Sequence, residues 1–496
     1  MFTSIYPEMK LYLRFFIILT IVLLLGCNPP DPEISRPNLL YIIVDEMREM
    51  AMSCSGDPNI NTPGLDSLAA QGMRFTRMYT PNPVCSPARA SIHTGLYPHN
   101  AGMPHNGYHL RETAPTLAEV LQQAGYTTGH IGKWHLNGEP STTSREDKES
   151  YKLIKKEWSV DSYYGYVDPE SHRGFEYWAG FEHGHQYFGS RYWEKEYKPI
   201  LLPEGEYEPD VQTDLAIQFI KNNRSENWYL DLNYGTPHFP LVRENAKAED
   251  LALFDTAKII LRPNVPPQFA NEARESLAIY YAMIHNLDEN IQKLMKALKE
   301  EGLFENTLII FTSDHGDMML SHGQHYKRRP QEESSRVPFI VCYPPAVKPG
   351  LVSERYLNLV DIYPSILEML NVDAPPNEGL SFSPLLKGIS DEEIHSSIYM
   401  GSAWFGGRDY DLGLHAKSPW RAVRTKDHMM AFLKTSDSQF DAIQLFDMNA
   451  DPFQMNNLVD DPAYIDIKKV LTEELDAWRR KTGDAEVQKL KLPDWE

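Results

Sequence analysis

From Asn38 onward the chain alternates short strands that are apolar on both faces with segments of helical periodicity, and this alternation constrains the fold more than any other feature. NLLYIIVDE reads as a buried strand and TPGLDSLAAQG as a capped helix, while APTLAEVLQQAGY is a helix leading into the strand-like TTGHIGKWH. The unit recurs as VQTDLAIQFIKNN before WYLDLNYG, as a long helix from about Glu272 to Glu301 before NTLIIFTSD, and as VPFIVCYP before VDIYPSILEML. Strands of this kind separated by helices predict an α/β fold: a large, mostly parallel sheet sandwiched by helices. A chain of 496 residues is long enough to bury such a core and add a second unit. After about Pro384 the texture changes. SIYMGSA, WRAVRTKD, HMMAFLK and AIQLFDM are short strands divided by turns, and AYIDIKKVLTEELDAWRRK is an amphipathic helix. The expected organisation is a main domain over residues 37–384 and a C-terminal subdomain over 385–496, a small antiparallel sheet plus helix.

In open parallel sheets ligands gather at the carboxyl ends of the strands. That rule selects Asp45-Glu46, Lys133-Trp134-His135, Pro237-His238 and Asp314-His315, each just after a predicted strand. Three carboxylates and an imidazole make an oxygen-rich site for a hard divalent cation. Lys133, His135, His238 and Lys327 add cations and proton carriers suited to a tetrahedral anion, the lysines to neutralise its oxygens and a histidine to protonate a leaving alcohol. Each residue alone reads as a solvated lysine or a satisfied histidine; the ensemble carries the signal.

Cys85 opens the stretch CSPAR, between the proline-broken TPNPV and the helical ASIHTG. As a thiolate nucleophile it needs a histidine base and is opposed by nearby carboxylates. As an inert buried thiol it leaves Arg89 and the predicted ligands unexplained.

Against 48 lysines and arginines stand 69 aspartates and glutamates, a formal charge of -21 that argues against nucleic-acid binding. An anionic substrate must therefore be drawn to a local basic pocket. At the N-terminus Lys10 and Arg14 precede the apolar run FFIILTIVLLL and then Gly26-Cys27. The run suits a signal-peptide core better than a membrane span, and LLGC resembles a bacterial lipobox. Residues 1–26 are then a lipoprotein signal peptide, Cys27 the lipidated mature N-terminus and residues 27–36 a tether. The expected location is the periplasm or cell surface of a bacterium, with contact to the membrane through the lipid anchor only. Of four cysteines, Cys27, Cys54, Cys85 and Cys342, too few remain for a disulfide framework. Between Ser141 and Pro209 the chain is dense in Tyr, Trp and His. Most of these rings read as core, with His185, Arg173 and Arg191 as candidate sugar contacts.

CSPAR followed by ASIHTG resembles the signature of the type I, formylglycine-dependent sulfatases of the alkaline-phosphatase-like superfamily. NLLYIIVDEMR, GYTTGHIGKWHLNG, GTPHFP, TSDHGDMMLSHG, KRRPQEESSRVPFIV, RAVRTKDH and QLFDMNADPFQMNNLVDDP resemble that family's other blocks, in its order. The resemblance implies that Cys85 is oxidised to formylglycine by a formylglycine-generating or radical sulfatase-maturing enzyme. It also implies that the hydrated aldehyde attacks sulfur and that Arg89 hydrogen-bonds the diol. Asp45, Glu46, Asp314, His315 and modified Cys85 would hold one divalent metal. Calcium is the expected ion, with manganese or magnesium as alternatives, since Glu46 and His315 depart from the commonest Asp and Asn. Lys133 and Lys327 would grip sulfate, with His238 as acid to the leaving oxygen and His135 as partner of the diol. The implied substrate is a sulfated carbohydrate, from a polysaccharide or glycosaminoglycan. The rivals are a phosphonate monoester or phosphodiester hydrolase of the same fold and a non-catalytic glycan-binding lipoprotein.

Overall fold

The computed structural model describes residues 36–138, 165–402, 419–433, 442–484 and 495. Within them the sequence alternation builds a nine-stranded sheet. Its first strands are β1 (Asn38–Val44), β2 (Met73–Tyr79), β3 (Thr127–Lys133) and β4 (Tyr177–Phe181). A two-stranded ribbon follows, β5 (Arg191–Tyr192) with β6 (Ile200–Leu201). The sheet resumes with β7 (Trp228–Tyr234), β8 (Thr307–Ser313), β9 (Arg336–Cys342), β10 (Leu351–Ser353) and β11 (Leu357–Asn358). The spatial order is β10-β2-β9-β8-β1-β7-β3-β4, with β11 also on β2. Neighbours are parallel except for β9, which runs antiparallel to both β8 and β2.

Side chains alternate across β1. Leu40, Ile42 and Val44 enter one core, and Leu39, Tyr41 and Ile43 the other, as the two-residue period of a strand requires. The helices used below are α1 (Pro63–Gln71), α2 (Cys85–Thr94), α3 (Leu117–Gln123), α4 (Glu208–Asn222), α5 (Ala248–Leu251), α6 (Ala270–Glu300) and α7 (Ile362–Met369). On the first face α6 lays the stripe Leu277, Ile284, Leu287, Ile291, Leu294 and Leu298 against the sheet. On the second, α2, α3 and α7 bury Ile92, Leu121 and Ile366.

The four-stranded antiparallel sheet consists of β12 (Ser397–Ser402), β13 (Trp420–Thr425), β14 (His428–Leu433) and β15 (Ala442–Asp447). The closing helix α8 (Ile465–Thr482) packs Leu471, Leu475 and Trp478 on Val423, Met430 and Phe432. The other face of this sheet meets Tyr79 and Tyr356 of the main body. Trp420 Nε1 donates to Arg328 O at 2.8 Å, and Arg424 Nε to Glu332 Oε1 at 3.0 Å. Among the described residues no helix is long and apolar enough to cross a membrane. The expected leader, Cys27, the tether up to residue 35 and residues 141–164 of the aromatic stretch lie outside the described residues.

Candidate active site

Strand register assembles the site. Val44, the last residue of β1, is level with Tyr234 of β7 and Ser313 of β8, and Gly132 of β3 is level with Asn233. Asp45, Asp314-His315, Lys133-Trp134-His135 and the Gly235–His238 turn therefore leave the sheet side by side. Cys85 is the first residue of α2, and Arg89 and His93 follow at four-residue spacing on the same helix face. Glu46 (φ 71°) and His135 (φ 61°) occupy the left-handed region immediately beyond their strands. So do Tyr326 (φ 61°) and Arg328 (φ 73°), on either side of Lys327. Residues other than glycine held there store strain that the surrounding structure must support.

The Cys85 sulfur is buried. It lies 3.2 Å from His315 Nε2, 3.2 Å from Lys327 Nζ and 3.8 Å from Asp45 Oδ1. Ligand atoms of Asp45, Cys85, Asp314 and His315 all lie within 4.8 Å of one another. Burial opposes ionisation of the thiol, but the Lys133 and Lys327 charges outweigh it and hold Cys85 well below the ordinary thiol range. A negative charge at this position is thus strongly favoured. Asp45 is also held low: burial and Cys85 push it up, and Lys133, His238 and Arg89 override them. Its Oδ2 accepts from Lys133 Nζ at 2.5 Å. Asp314, by contrast, is pushed up by burial and by the Asp45 charge.

Arg89 is fully buried, and its guanidinium ties three strand ends together. Nε donates to Asp314 Oδ2 at 3.0 Å, and Nη1 donates to Lys133 O at 2.9 Å and Asn233 Oδ1 at 2.7 Å. Its Nη2 lies 3.7 Å from Asp45 Oδ2. His238 Nδ1 lies 2.6 Å from Phe239 O, an acceptor, so Nδ1 carries the proton and Nε2 faces Lys327 Nζ at 2.5 Å and Glu46 Oε2 at 3.2 Å. Burial and then Lys327 push His238 down to about 4. His135 is within hydrogen-bonding reach of the Cys85 sulfur; burial and Lys133 push it down to about 3. His185 joins the group: its ring stacks on His238 with centroids 3.6 Å apart, and its Nε2 is 3.4 Å from Lys133 Nζ.

The donor set fits a divalent cation. His315 Nδ1 lies 3.0 Å from Gly316 O, which can only accept, so Nε2 presents its lone pair inward. That lone pair is 3.5 Å from Asp45 Oδ1 and 3.5 Å from Asp314 Oδ1. Two buried carboxylates and a neutral imidazole nitrogen converging on one point suit a cation between them. Glu46 stands beside this group rather than within it. Its carboxylate bridges His238 and Lys327, the latter at 3.5 Å, and accepts from Phe239 N at 3.3 Å.

The other two sugar candidates have different placements. Arg173 is committed to the start of α3. Its Nε donates to Glu119 Oε1 at 2.8 Å and Nη2 to Ala114 O at 2.7 Å, and its carbonyl accepts from Thr116 Oγ1 at 2.8 Å. Thr116 and Glu119 form the capping box of that helix, so the arginine anchors a helix end. Arg191 lies on the β5–β6 ribbon and lines a small cavity with Phe181, Glu208 and Gln212. Two supports escaped the sequence reading. Asn233 holds Arg89, and its only signal was a polar residue near the end of the apolar run WYLDLNY. Tyr187 OH donates to Gly235 O at 2.8 Å and His238 O at 2.9 Å, fixing the turn that presents His238.

Comparison with known proteins agrees with this geometry. The sulfatase family model matches residues 37–372, and the model of the C-terminal region of N-sulphoglucosamine sulphohydrolase matches residues 321–481. An ulvan-active sulfatase of Formosa agariphila is 33% identical over 458 residues, covering 91% of this chain and 83% of that protein. An N-acetylglucosamine-6-O-sulfatase of Bacteroides thetaiotaomicron is 26% identical, covering 92% and 88%. A solved structure from work on glycosaminoglycan metabolism in the same bacterium superposes with a TM-score of 0.79 at 25% identity, covering 92% of this chain and 98% of the other. With the family model spanning most of the chain and the strand-end cluster in place, the chain belongs to the sulfatase family and is a hydrolase of sulfuric esters.

Proposed function

We propose that this sulfatase removes sulfate from a carbohydrate, a polysaccharide or glycosaminoglycan fragment, using residue 85 as formylglycine beside one divalent metal. The observation that carries the reading is the convergence on Cys85 Sγ of Lys327 Nζ and His315 Nε2, each at 3.2 Å, over buried Asp45 and Asp314. In this reading the reactive oxygen of the converted residue takes the position of the thiol. Relatives named for ulvan, N-acetylglucosamine-6-sulfate and endo-4-O-sulfate chemistry support a carbohydrate substrate.

Asp45, Asp314 and His315, with Glu46 alongside, would hold the metal. It would polarise sulfate oxygen and favour the ionised nucleophile, and formylglycine would supply a hydroxyl nucleophile able to release sulfate by elimination. Calcium is the proposed ion. Lys133 and Lys327 are positioned to neutralise sulfate oxygens in a water-poor site, where such contacts strengthen as charge develops. Lys327 Nζ stands 2.5 Å from the unprotonated His238 Nε2, so in this proposal a proton passes from the ammonium through Nε2 to the departing sugar oxygen and leaves the lysine neutral. His135, at the sulfur, is the proposed proton acceptor for residue 85. His185, stacked on His238, is the proposed sugar contact.

The chain is further proposed to be an exported lipoprotein, anchored at Cys27 on the periplasmic membrane or cell surface and matured by a formylglycine-forming enzyme. The run FFIILTIVLLL before Gly26-Cys27 supports this. The test of function is sulfate release from sulfated oligosaccharides, set against hydrolysis of an aryl phosphonate by the same preparation. Release of sulfate with little phosphonate turnover is expected. Phosphonate turnover that dominates would overturn the sulfate assignment.

A further inference from the structure

A second cluster of ligand-type side chains lies outside the catalytic cavity. His285 and Glu289 are four residues apart on α6, so they share one helix face. Asp250 reaches them from α5, on the segment that leaves the active site after His238. One ligand atom from each of the three lies within 4.8 Å of the other two. Asp250 is only 3% exposed. Its Oδ1 accepts from His285 Nδ1 at 2.9 Å, while Oδ2 is sealed from solvent with no hydrogen-bond donor. A buried carboxylate oxygen left in this state is costly.

The neighbouring cation, Lys247, offsets the Asp250 charge only in part. Lys247 Nζ is committed to Asp210 Oδ2 at 3.2 Å and Glu249 Oε1 at 3.3 Å. Burial raises the Asp250 carboxyl, and the Glu289 charge adds to it; His285 and, less, Lys247 offset this only partly, so the carboxyl stays above its usual range. The balance around Asp250 is short of positive charge.

We infer that Asp250, His285 and Glu289 form a second divalent-cation site that ties α5 to α6. Two carboxylates and one imidazole favour a borderline ion such as zinc or manganese over calcium, which takes six or more oxygens. The exposed Glu289 side leaves room for water as further ligand. Because α5 follows the turn carrying His238, the bound ion staples the outgoing segment to the long helix that backs the sheet. The site is independent of the sulfatase chemistry.

The test titrates zinc into the full chain already saturated with calcium, for the wild type and for H285Q and E289Q, by calorimetry and thermal unfolding. The wild type is expected to take up one more zinc equivalent than H285Q and to melt at a higher temperature in zinc. In H285Q both effects are lost, in E289Q binding weakens severalfold, and sulfate turnover in calcium is unchanged in both. Equal zinc uptake in wild type and H285Q, or a melting temperature in zinc that rises equally in both, overturns the inference.

Discussion

Lys327 Nζ stands 3.2 Å from the Cys85 sulfur and 2.5 Å from His238 Nε2, so one buried ammonium touches both the proposed nucleophile position and the proposed acid. Burial opposes its charge, but Cys85, Glu46 and Asp45 hold it protonated, well above the ordinary lysine range. Replacing it removes charge stabilisation and disturbs the acid. Lys327→Met is expected to lower kcat on an aryl sulfate by about 10²-fold or more. The circular dichroism spectrum stays that of the wild type. Wild-type kcat in this variant contradicts the role.

If His238 serves the leaving oxygen as proposed, its loss should depend on how much help that oxygen needs. His238→Ala is expected to cost a sulfated sugar about 10²- to 10⁴-fold in kcat. An aryl sulfate with an acidic phenol loses far less. Comparing kcat across phenols of different acidity measures this, and an equal loss with every leaving group contradicts the assignment.

Much of the site was legible because physics puts it where sequence reading is strongest. NLLYIIV and NTLIIFTS are unmistakable buried strands, so Asp45 and Asp314 are fixed at their carboxyl ends. Less legible was β2, whose MRFTRMY interleaves Arg74 and Arg77 with apolar residues. Nor does β9 reveal its reversed direction, since an apolar run reads the same either way. The pairing of Arg173 with Glu119, 54 residues away, is likewise invisible in the aromatic stretch that made Arg173 a candidate sugar contact. Asn233 was invisible because its role exists only once Arg89 is folded against it.

The metal cluster makes its own forecast. Asp314 is held between Arg89 and His315, and it shares the site with Asp45. Exhaustive chelation is expected to abolish turnover, and added calcium to restore it. Asp314→Asn is expected to resist restoration by calcium, as measured by sulfate release in metal-free buffer with the ion added back. Full activity after chelation contradicts the metal assignment.

Arg421 and Asp484 form a buried pair that fastens the segment just after α8 to the small sheet: Nε donates to Oδ2 at 2.6 Å, and Tyr399 OH donates to the same oxygen at 2.6 Å. Burial opposes the carboxylate, but Arg421 holds Asp484 well below its usual range. The stabilisation is therefore complete above the unfolded carboxyl value of about 4 and is lost as pH falls below it. Asp484→Asn is expected to destabilise the protein by about 3–5 kcal/mol at neutral pH. In thermal unfolding the gap to wild type narrows as pH drops below about 4. A gap that stays constant with pH contradicts the pairing.

The most direct measurement is the mass of the peptide spanning Cys85, taken alongside the specific activity of the same preparation. Protein from a host that carries a formylglycine-forming enzyme should show the aldehyde at residue 85, with activity rising in proportion to the converted fraction. Full sulfate turnover from protein whose residue 85 is still an intact thiol would contradict the account.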